Sequence, residues 1–175
     1  LLPRFAADVP LDVFGMGTDG IDQHLGPGVR GCGDLPQARM HAELARRRAY
    51  LHPLRWTSLG LSLIEAMHLG MPVVAFAATE AIEAVPPDAG VCSTDPGRLR
   101  AALGELLADR ALARRRGTAA RAYALRRYGL QRFLDDWDRV LGTVTGDRPA
   151  GVRAHRTVPH GGAPDPAARD PAARD

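Results

Sequence analysis

The stretch at residues 50–77, YLHPLRWTSLGLSLIEAMHLGMPVVAFA, constrains the fold more than any other part of the chain. It predicts a short apolar strand ending at Pro53, a turn of small residues, a helix over about residues 61–69 and a second strand over residues 72–76. Gly70 separates the helix from the second strand, as glycine commonly does at a helix end. Strand, helix and strand in this order pack as a parallel sheet with helices on its faces. We therefore expect an α/β fold.

The turn before the predicted helix is a candidate anion-binding site. It is expected at the carboxyl edge of the sheet, where a helix N-terminus presents unpaired N–H groups and a partial positive charge. Glu65 stands one turn inside the helix, where its carboxylate can accept hydrogen bonds from ligand hydroxyls. A phosphate at the helix start and a sugar on the carboxylate together describe a nucleotide site. The alternative is that Glu65 only complements the helix dipole.

The same residues resemble a motif of the retaining glycosyltransferases of family 4, P-S-x-x-E-G-F-G-L-x-x-x-E-A-M-A-x-G-x-P-V-V-A. Residues 53–75 read PLRWTSLGLSLIEAMHLGMPVVA. The resemblance implies the C-terminal, donor-binding half of a GT-B protein, a Rossmann-like parallel sheet flanked by helices. Glu65 matches the second glutamate of the motif, which implies contact with the nucleotide ribose, and Gly60 matches a glycine beside the diphosphate. Thr57 stands where the family has its first glutamate, near the transferred sugar.

The resemblance implies a donor site around the turn, with N–H groups of the helix start facing the diphosphate and positive charge from Arg55 or His52. Gly33 belongs to a loop that the resemblance places by the nucleobase. The residues expected in donor binding are His52, Arg55, Thr57, Ser58, Leu59, Gly60, Leu61, Glu65 and Gly33. No catalytic base is named, because in the family the leaving diphosphate assists the acceptor. The resemblance implies no cofactor, since the nucleotide-diphosphate sugar is a substrate.

The expected function is therefore a hexosyltransferase-type enzyme that transfers a sugar from a nucleotide-diphosphate donor to an unknown acceptor with retention. The chain opens on Leu1 instead of Met, inside an expected helix. We therefore expect a fragment that lacks an N-terminal acceptor-binding domain and is inactive alone. Two alternatives stay open, a nucleotide-sugar 2-epimerase-like GT-B enzyme and a degenerate, non-catalytic nucleotide-binding or interaction module, which the replaced glutamate favours.

A nicotinamide-type dinucleotide site is the least favoured alternative. Residues 15–20, GMGTDG, form a G-x-G-x-x-G motif directly after a predicted strand at residues 11–14. Such a motif needs a following helix to hold the pyrophosphate, but residues 21–33 contain several glycines and show no helical period. An ordinary turn and loop are expected instead, and the resemblance to the family implies a short strand at residues 29–33.

The flanking elements follow from hydrophobic spacing and caps. We expect helices over residues 36–47, 79–85, 110–127 and 130–141, a strand over residues 90–93, and a helix that begins at Asp95. Thr79 is expected to cap its helix, and the arginines at residues 46–48 to form a solvated helix end. The expected apolar stripes are Leu99, Leu103, Leu106 and Leu107; Leu112, Ala119, Ala120 and Tyr123; and Leu130, Phe133, Leu134, Trp137, Val140 and Leu141. The last stripe either packs in the core or forms a surface that contacts an N-terminal half of the protein.

Composition limits the class of protein to which this chain can belong. The chain is 45% hydrophobic and 25% charged, which is typical of a globular domain, assigned here to residues 1–145. Residues 146–175 are rich in Gly, Pro, Arg, Asp and Ala and are predicted to be disordered. The net charge of +3 is too small to indicate nucleic-acid binding, and neither His155 nor His160 has partners at metal-ligand spacing. With no transmembrane run or signal peptide, we expect a cytoplasmic protein, with peripheral membrane contact left open.

Overall fold

The computed structural model describes residues 2–7, 9–26, 28–56 and 58–146. The elements are α1 (Leu2–Ala6), β1 (Leu11–Val13), α2 (Asp22–Leu25), β2 (Val29–Gly31), α3 (Gln37–Leu44), β3 (Tyr50–His52), α4 (Leu61–His68), β4 (Val73–Phe76), α5 (Ala81–Ala84), β5 (Gly90–Ser93), α6 (Pro96–Ala108), α7 (Arg110–Tyr128) and α8 (Leu130–Thr145). Residues 1–134 and 135–175 form two units, and the described part of the second contains the later part of α8. The predicted disordered tail lies outside the described residues, apart from Gly146.

The strands form two parallel sheets, one with the order β1-β2 and one with the order β3-β4-β5. In the first, Leu11 is opposite Val29, and in the second, Val73 is opposite both Tyr50 and Gly90. The parallel pairing of β3 and β4 around α4 confirms the unit predicted at residues 50–77. Parallel strands are usually connected by a helix, because a tight turn cannot join them.

Helices cover both faces of the three-stranded sheet. Because side chains alternate along a strand, Val73 and Ala75 of β4 pack on one face against α4, α5 and α7. Val74 and Phe76 pack on the other face against α1 and α6, where the rings of Phe5 and Phe76 meet edge to face. All four residues of β4 are buried. The expected α/β fold, a Rossmann-like parallel sheet flanked by helices, is confirmed.

Helix α7 packs more closely than its sequence predicts. Its buried residues are Ala113, Gly117, Ala120 and Ala124, whereas the expected face included Leu112, Ala119 and Tyr123, which are only half-buried. The reason is a close backbone approach: a Cβ added at Gly117 would lie 2.0 Å from the carbonyl oxygen of Gly70. The stripe of small residues lets α7 approach the C-terminal end of α4, which larger apolar residues would prevent.

Two further expectations are corrected by the structure, and one alternative left open for α8 is decided. Helix α5 has Glu80 at its N-cap instead of Thr79, which has a left-handed φ of 48°. Asp22–Leu25 form one helical turn where a loop was expected, although this turn is too short to be the long helix of a dinucleotide-binding motif. The large apolar residues of α8 are not core, since Leu130, Phe133, Trp137, Val140 and Leu141 are all exposed.

The α4–α7 approach predicts a strong effect of one added methyl group. Gly117→Ala places a Cβ inside the contact distance of a backbone carbonyl, so the free energy of unfolding should fall by about 2 kcal/mol. Gly104→Ala is the matched control, because Gly104 lies in α6 with nothing within 4 Å of an added Cβ. That change should raise stability by about 0.5–1 kcal/mol. Urea unfolding measures both, and equal effects of the two substitutions would contradict the packing described here.

Candidate functional site

A cleft of about 530 Å³ lies between β1 and β3. Its walls include residues 9–14, which contain β1, and residues 49–54, which contain β3. At the carboxyl ends of these strands the walls include Phe14, Pro53 and Leu54, together with Ser62 and Glu65 of α4. Residues 55–56 and 58–61 of the predicted turn and helix start do not line the cleft, although their neighbours Leu54 and Ser62 do. This end of the cleft is at the carboxyl edge of the strands, where open parallel sheets commonly bind ligands.

The Glu65 side chain lies on the cleft wall and is 31% exposed. Its Oε1 atom lies 3.4 Å from Nε2 of Gln37 and 3.7 Å from Nε2 of His41, both in α3. The His41 Nε2 atom is buried and has no hydrogen-bond partner within the described part of the chain. The carboxylate is thus held toward α3 by long polar contacts and remains accessible to solvent.

The turn before α4 is open. Arg55, Trp56, Ser58 and Leu61 are exposed, Leu59 is half-buried, and Thr57 lies outside the described residues. Gly60 is the N-cap of α4 and has no side chain with which to cap the helix, while its carbonyl accepts the N–H groups of Leu63 and Ile64. The earlier N–H groups, those of Leu61 and Ser62, are therefore the helix-start donors that a ligand can reach.

His52 is buried beneath the turn. Its side chain is 2% exposed, and burial lowers the pKa of its imidazole below the ordinary value. The ring fills the space under the turn, since a Cβ on Gly60 would lie 2.9 Å from Cε1 of His52. Gly60 therefore packs directly against this imidazole, whatever ligand the turn binds.

Tyr50 links His52 to the start of α4. Its hydroxyl lies 3.5 Å from Nδ1 of His52 and donates a hydrogen bond of 2.9 Å to Oγ of Ser62. Burial is the main cause of the raised pKa of the Tyr50 phenol, so the hydroxyl keeps its proton at neutral pH. The start of α4 is thereby tied to β3.

Arg55 and Gly33 lie in different surroundings. The Arg55 guanidinium stacks over the Phe76 ring, with Cζ 4.9 Å from the ring centre, so a cation is held at the carboxyl end of β4. Gly33 is bound within the loops that follow β1 and β2, because its N–H donates to Thr18 Oγ1 and its carbonyl accepts the N–H of Gly15. Gly33 is not among the residues that line the cleft.

Comparison with known proteins decides the family. The family model described as "Glycosyl transferases group 1" matches residues 2–109. The chain belongs to this family. A search of curated proteins gave no match.

The fold of this chain is similar to that of several solved structures. Sucrose-phosphate synthase from Thermosynechococcus elongatus is 21% identical, with a TM-score of 0.70 over 84% of this chain and 42% of that protein. HepE from Anabaena, in complex with UDP, is 20% identical, with a TM-score of 0.66 over 81% of this chain and 43% of that one. A TarM mutant from S. aureus, in complex with fondaparinux, alpha-GlcNAc-glycerol and UDP, is 20% identical, with a TM-score of 0.66 over 79% of this chain and 31% of that one. All are GT-B proteins, and the chain spans less than half the length of each.

The arginines after α3 were predicted to form a solvated helix end, and the Arg46 side chain is 74% exposed, but residues 46–48 also lie on the cleft wall. Arg47 Nε lies 2.6 Å from Oδ2 of Asp12 in β1, and its Nη1 lies 3.0 Å from Glu43 Oε2. Arg30 and Arg47 hold the pKa of the Asp12 carboxyl below its usual value. The signal that could have indicated this arrangement is Asp12 itself, because a carboxylate inside an apolar strand needs a cation.

No group of three or more His, Cys, Asp or Glu residues in the described ranges is placed to hold a metal ion. In the same part of the chain, no helix has both the length and the apolar character needed to cross a bilayer.

The neutral state of His52 predicts how stability depends on pH. In the unfolded chain this histidine binds a proton near its ordinary pKa of about 6.5, whereas in the folded chain it binds one only at lower pH. The unfolded state therefore takes up more protons as the pH falls through about 6.5, and the free energy of unfolding decreases.

Urea unfolding of the unchanged chain and of His52→Gln at about pH 7.5 and about pH 5.5, on either side of the ordinary histidine pKa, measures this effect. His52→Gln removes the titrating group while keeping a polar side chain, so its stability should change less between the two pH values. The same change in both proteins would show that His52 is not buried in neutral form.

Proposed function

We propose that this chain is the donor-binding half of a retaining hexosyltransferase that uses a nucleotide-diphosphate sugar. The observation that carries the proposal is the position of Glu65, whose carboxylate lies on the cleft wall one turn from the open start of α4. Two of the similar solved structures are complexes with UDP, which supports a nucleotide in a fold of this kind. The proposed reaction uses no metal or other cofactor.

The diphosphate would bind at the start of α4. The N–H groups of Leu61 and Ser62 lie where a helix favours an anion, and the turn is exposed. Arg55, held on Phe76 at the carboxyl end of β4, would add the positive charge that His52 cannot provide. Fixed donors and a fixed cation stabilise the negative charge that grows on the diphosphate as it leaves the sugar.

The ribose would bind at Glu65. A carboxylate accepts hydrogen bonds from two neighbouring hydroxyls, and charge-assisted bonds of this kind are stronger than neutral ones. The existing contacts to Gln37 and His41 are long, at 3.4 and 3.7 Å, so a ribose can replace them at small cost. The same two side chains would keep the carboxylate oriented while the site is empty.

The transferred sugar would lie near Thr57 and be held only by neutral hydrogen bonds. A threonine hydroxyl binds a sugar hydroxyl more weakly than a glutamate does. The configuration at the anomeric carbon would be retained if the leaving diphosphate assists attack of the acceptor on the same face of the sugar. The acceptor site is proposed to belong to an N-terminal domain, so that this chain alone binds the donor without transferring its sugar.

Calorimetry with UDP and GDP tests the proposal. One of the two nucleotides should bind, and Glu65→Gln should weaken that binding by about 1.5–3 kcal/mol, because it replaces a charged acceptor with a neutral amide. Glu105→Gln is the matched control, since Glu105 lies in α6 and pairs with Arg98 on the surface. Nucleotide binding by Glu105→Gln should be the same as by the unchanged chain.

Thr57 in place of a glutamate gives some support to a second function, a nucleotide-binding module without transferase activity. Binding of UDP or GDP that persists in a longer chain without any sugar transfer would favour that module. No heat with either nucleotide at millimolar concentration would contradict donor binding itself.

A further inference from the structure

His41 and Glu65 face each other but do not complete a hydrogen bond. The distance from Nε2 of His41 to Oε1 of Glu65 is 3.7 Å, which is longer than a hydrogen bond. The Nε2 atom is nevertheless buried and has no hydrogen-bond partner in the part of the chain that the structure describes. Because buried polar atoms are nearly always paired, this nitrogen lacks one partner atom.

Helical spacing brings His41 to the carboxylate. Gln37 and His41 are four residues apart in α3, so their side chains lie on the same face of that helix. Both side chains contact Oε1 of Glu65, and the adjacent Met40 lines the cleft. This face of α3 therefore borders the part of the site to which the ribose is assigned.

The two side chains select the kind of group that fits between them. The carboxylate of Glu65 accepts hydrogen bonds, and it favours a proton on the facing nitrogen of His41, which then donates. A hydroxyl satisfies both, because it donates its proton to the carboxylate while its oxygen accepts the imidazole N–H. An ammonium group has no lone pair for the imidazole, and the carboxylate repels a phosphate oxygen.

The distances also suit a hydroxyl. Bonds of about 2.7 Å to the carboxylate and about 2.9 Å to the imidazole, meeting at a tetrahedral angle, hold the two atoms about 4.6 Å apart. The observed 3.7 Å is shorter, but both side chains are 31% exposed, so a small rotation of either one admits the oxygen. Gln37 is exposed, and its amide contact with Oε1 is 3.4 Å long, so the hydroxyl can replace it.

We propose that His41 is a second ribose ligand, so that one ribose hydroxyl donates to Glu65 and accepts the Nε2–H of His41. The inference rests on the proposed function, because it uses the assignment of the ribose to Glu65. A donor without this hydroxyl leaves the buried imidazole N–H unpaired again, and a site built in this way rejects such an analogue. His41 is therefore a specificity-determining residue for the ribose of the donor.

Calorimetry with deoxynucleotides tests this contact. Whichever of UDP and GDP binds to the unchanged chain is compared with its 2′-deoxy and 3′-deoxy forms. Removal of the shared hydroxyl should weaken binding roughly tenfold or more, because a bond to a charged acceptor and a bond to the imidazole are both lost. His41→Phe keeps a ring but has no N–H, so the loss on removal of that hydroxyl should be roughly threefold to tenfold smaller.

Three further variants separate the hydrogen bond from a general change in the site. His41→Gln keeps an N–H donor and should retain most of the discrimination that His41→Phe loses. His41→Leu also lacks the donor and takes the place of His41→Phe if urea unfolding shows that the phenylalanine variant is not folded. His68→Phe is the matched control, because His68 ends α4 at the opposite end from the turn, and its discrimination should equal that of the unchanged chain.

A loss of discrimination confined to one hydroxyl supports the proposal. Coupling of His41 to neither hydroxyl overturns it, and so does equal coupling to both, because His41 would then act only by orienting the carboxylate. If Glu65→Gln couples to a hydroxyl and His41→Phe does not, the proposed function stands without this contact. If neither UDP nor GDP binds, the proposed function and this inference both fail.

Discussion

The position of α4 depends on two backbone approaches that leave no room for a side chain. At its start, a Cβ on Gly60 would lie 2.9 Å from the imidazole of His52, and after its end, a Cβ on Gly117 of α7 would lie 2.0 Å from the carbonyl oxygen of Gly70. Between these contacts, Leu63, Ala66 and Met67 are buried against the sheet. Because the buried face of α4 is fixed in this way, Glu65 lies on the cleft wall.

The positive charge that the site can offer a ligand depends on which side chains are already paired or uncharged. Arg47 is paired with Asp12 and Glu43, and burial keeps His52 uncharged, so neither provides a free cation for a ligand. Arg55 is exposed and stacked on Phe76, and it therefore remains available at the carboxyl end of the sheet. In the proposed donor site, the diphosphate would contact the helix-start N–H groups and Arg55.

The elements with strong patterns could be predicted from the sequence, and those set by tertiary contact could not. β3, α4 and β4 follow from apolar runs separated by glycine, and the capping Asp95 with a leucine stripe gives α6. The buried face of α7 was missed because its glycine and alanines carry little hydrophobic signal, and only the approach to Gly70 shows why they are small. The burial of His52 was missed for a related reason, since it depends on a turn that packs over the imidazole.

The central claim is that the carboxylate of Glu65 holds the nucleotide ribose beside the start of α4. A double-mutant cycle on the binding free energy measures this contact directly, with UDP and 2′,3′-dideoxy-UDP as ligands and with the unchanged chain and Glu65→Gln as proteins. If the contact exists, removing the ribose hydroxyls weakens binding to the unchanged chain much more than to Glu65→Gln, with a coupling energy of about 0.5–3 kcal/mol. Losses that simply add, with no coupling between the carboxylate and the hydroxyls, would contradict the account.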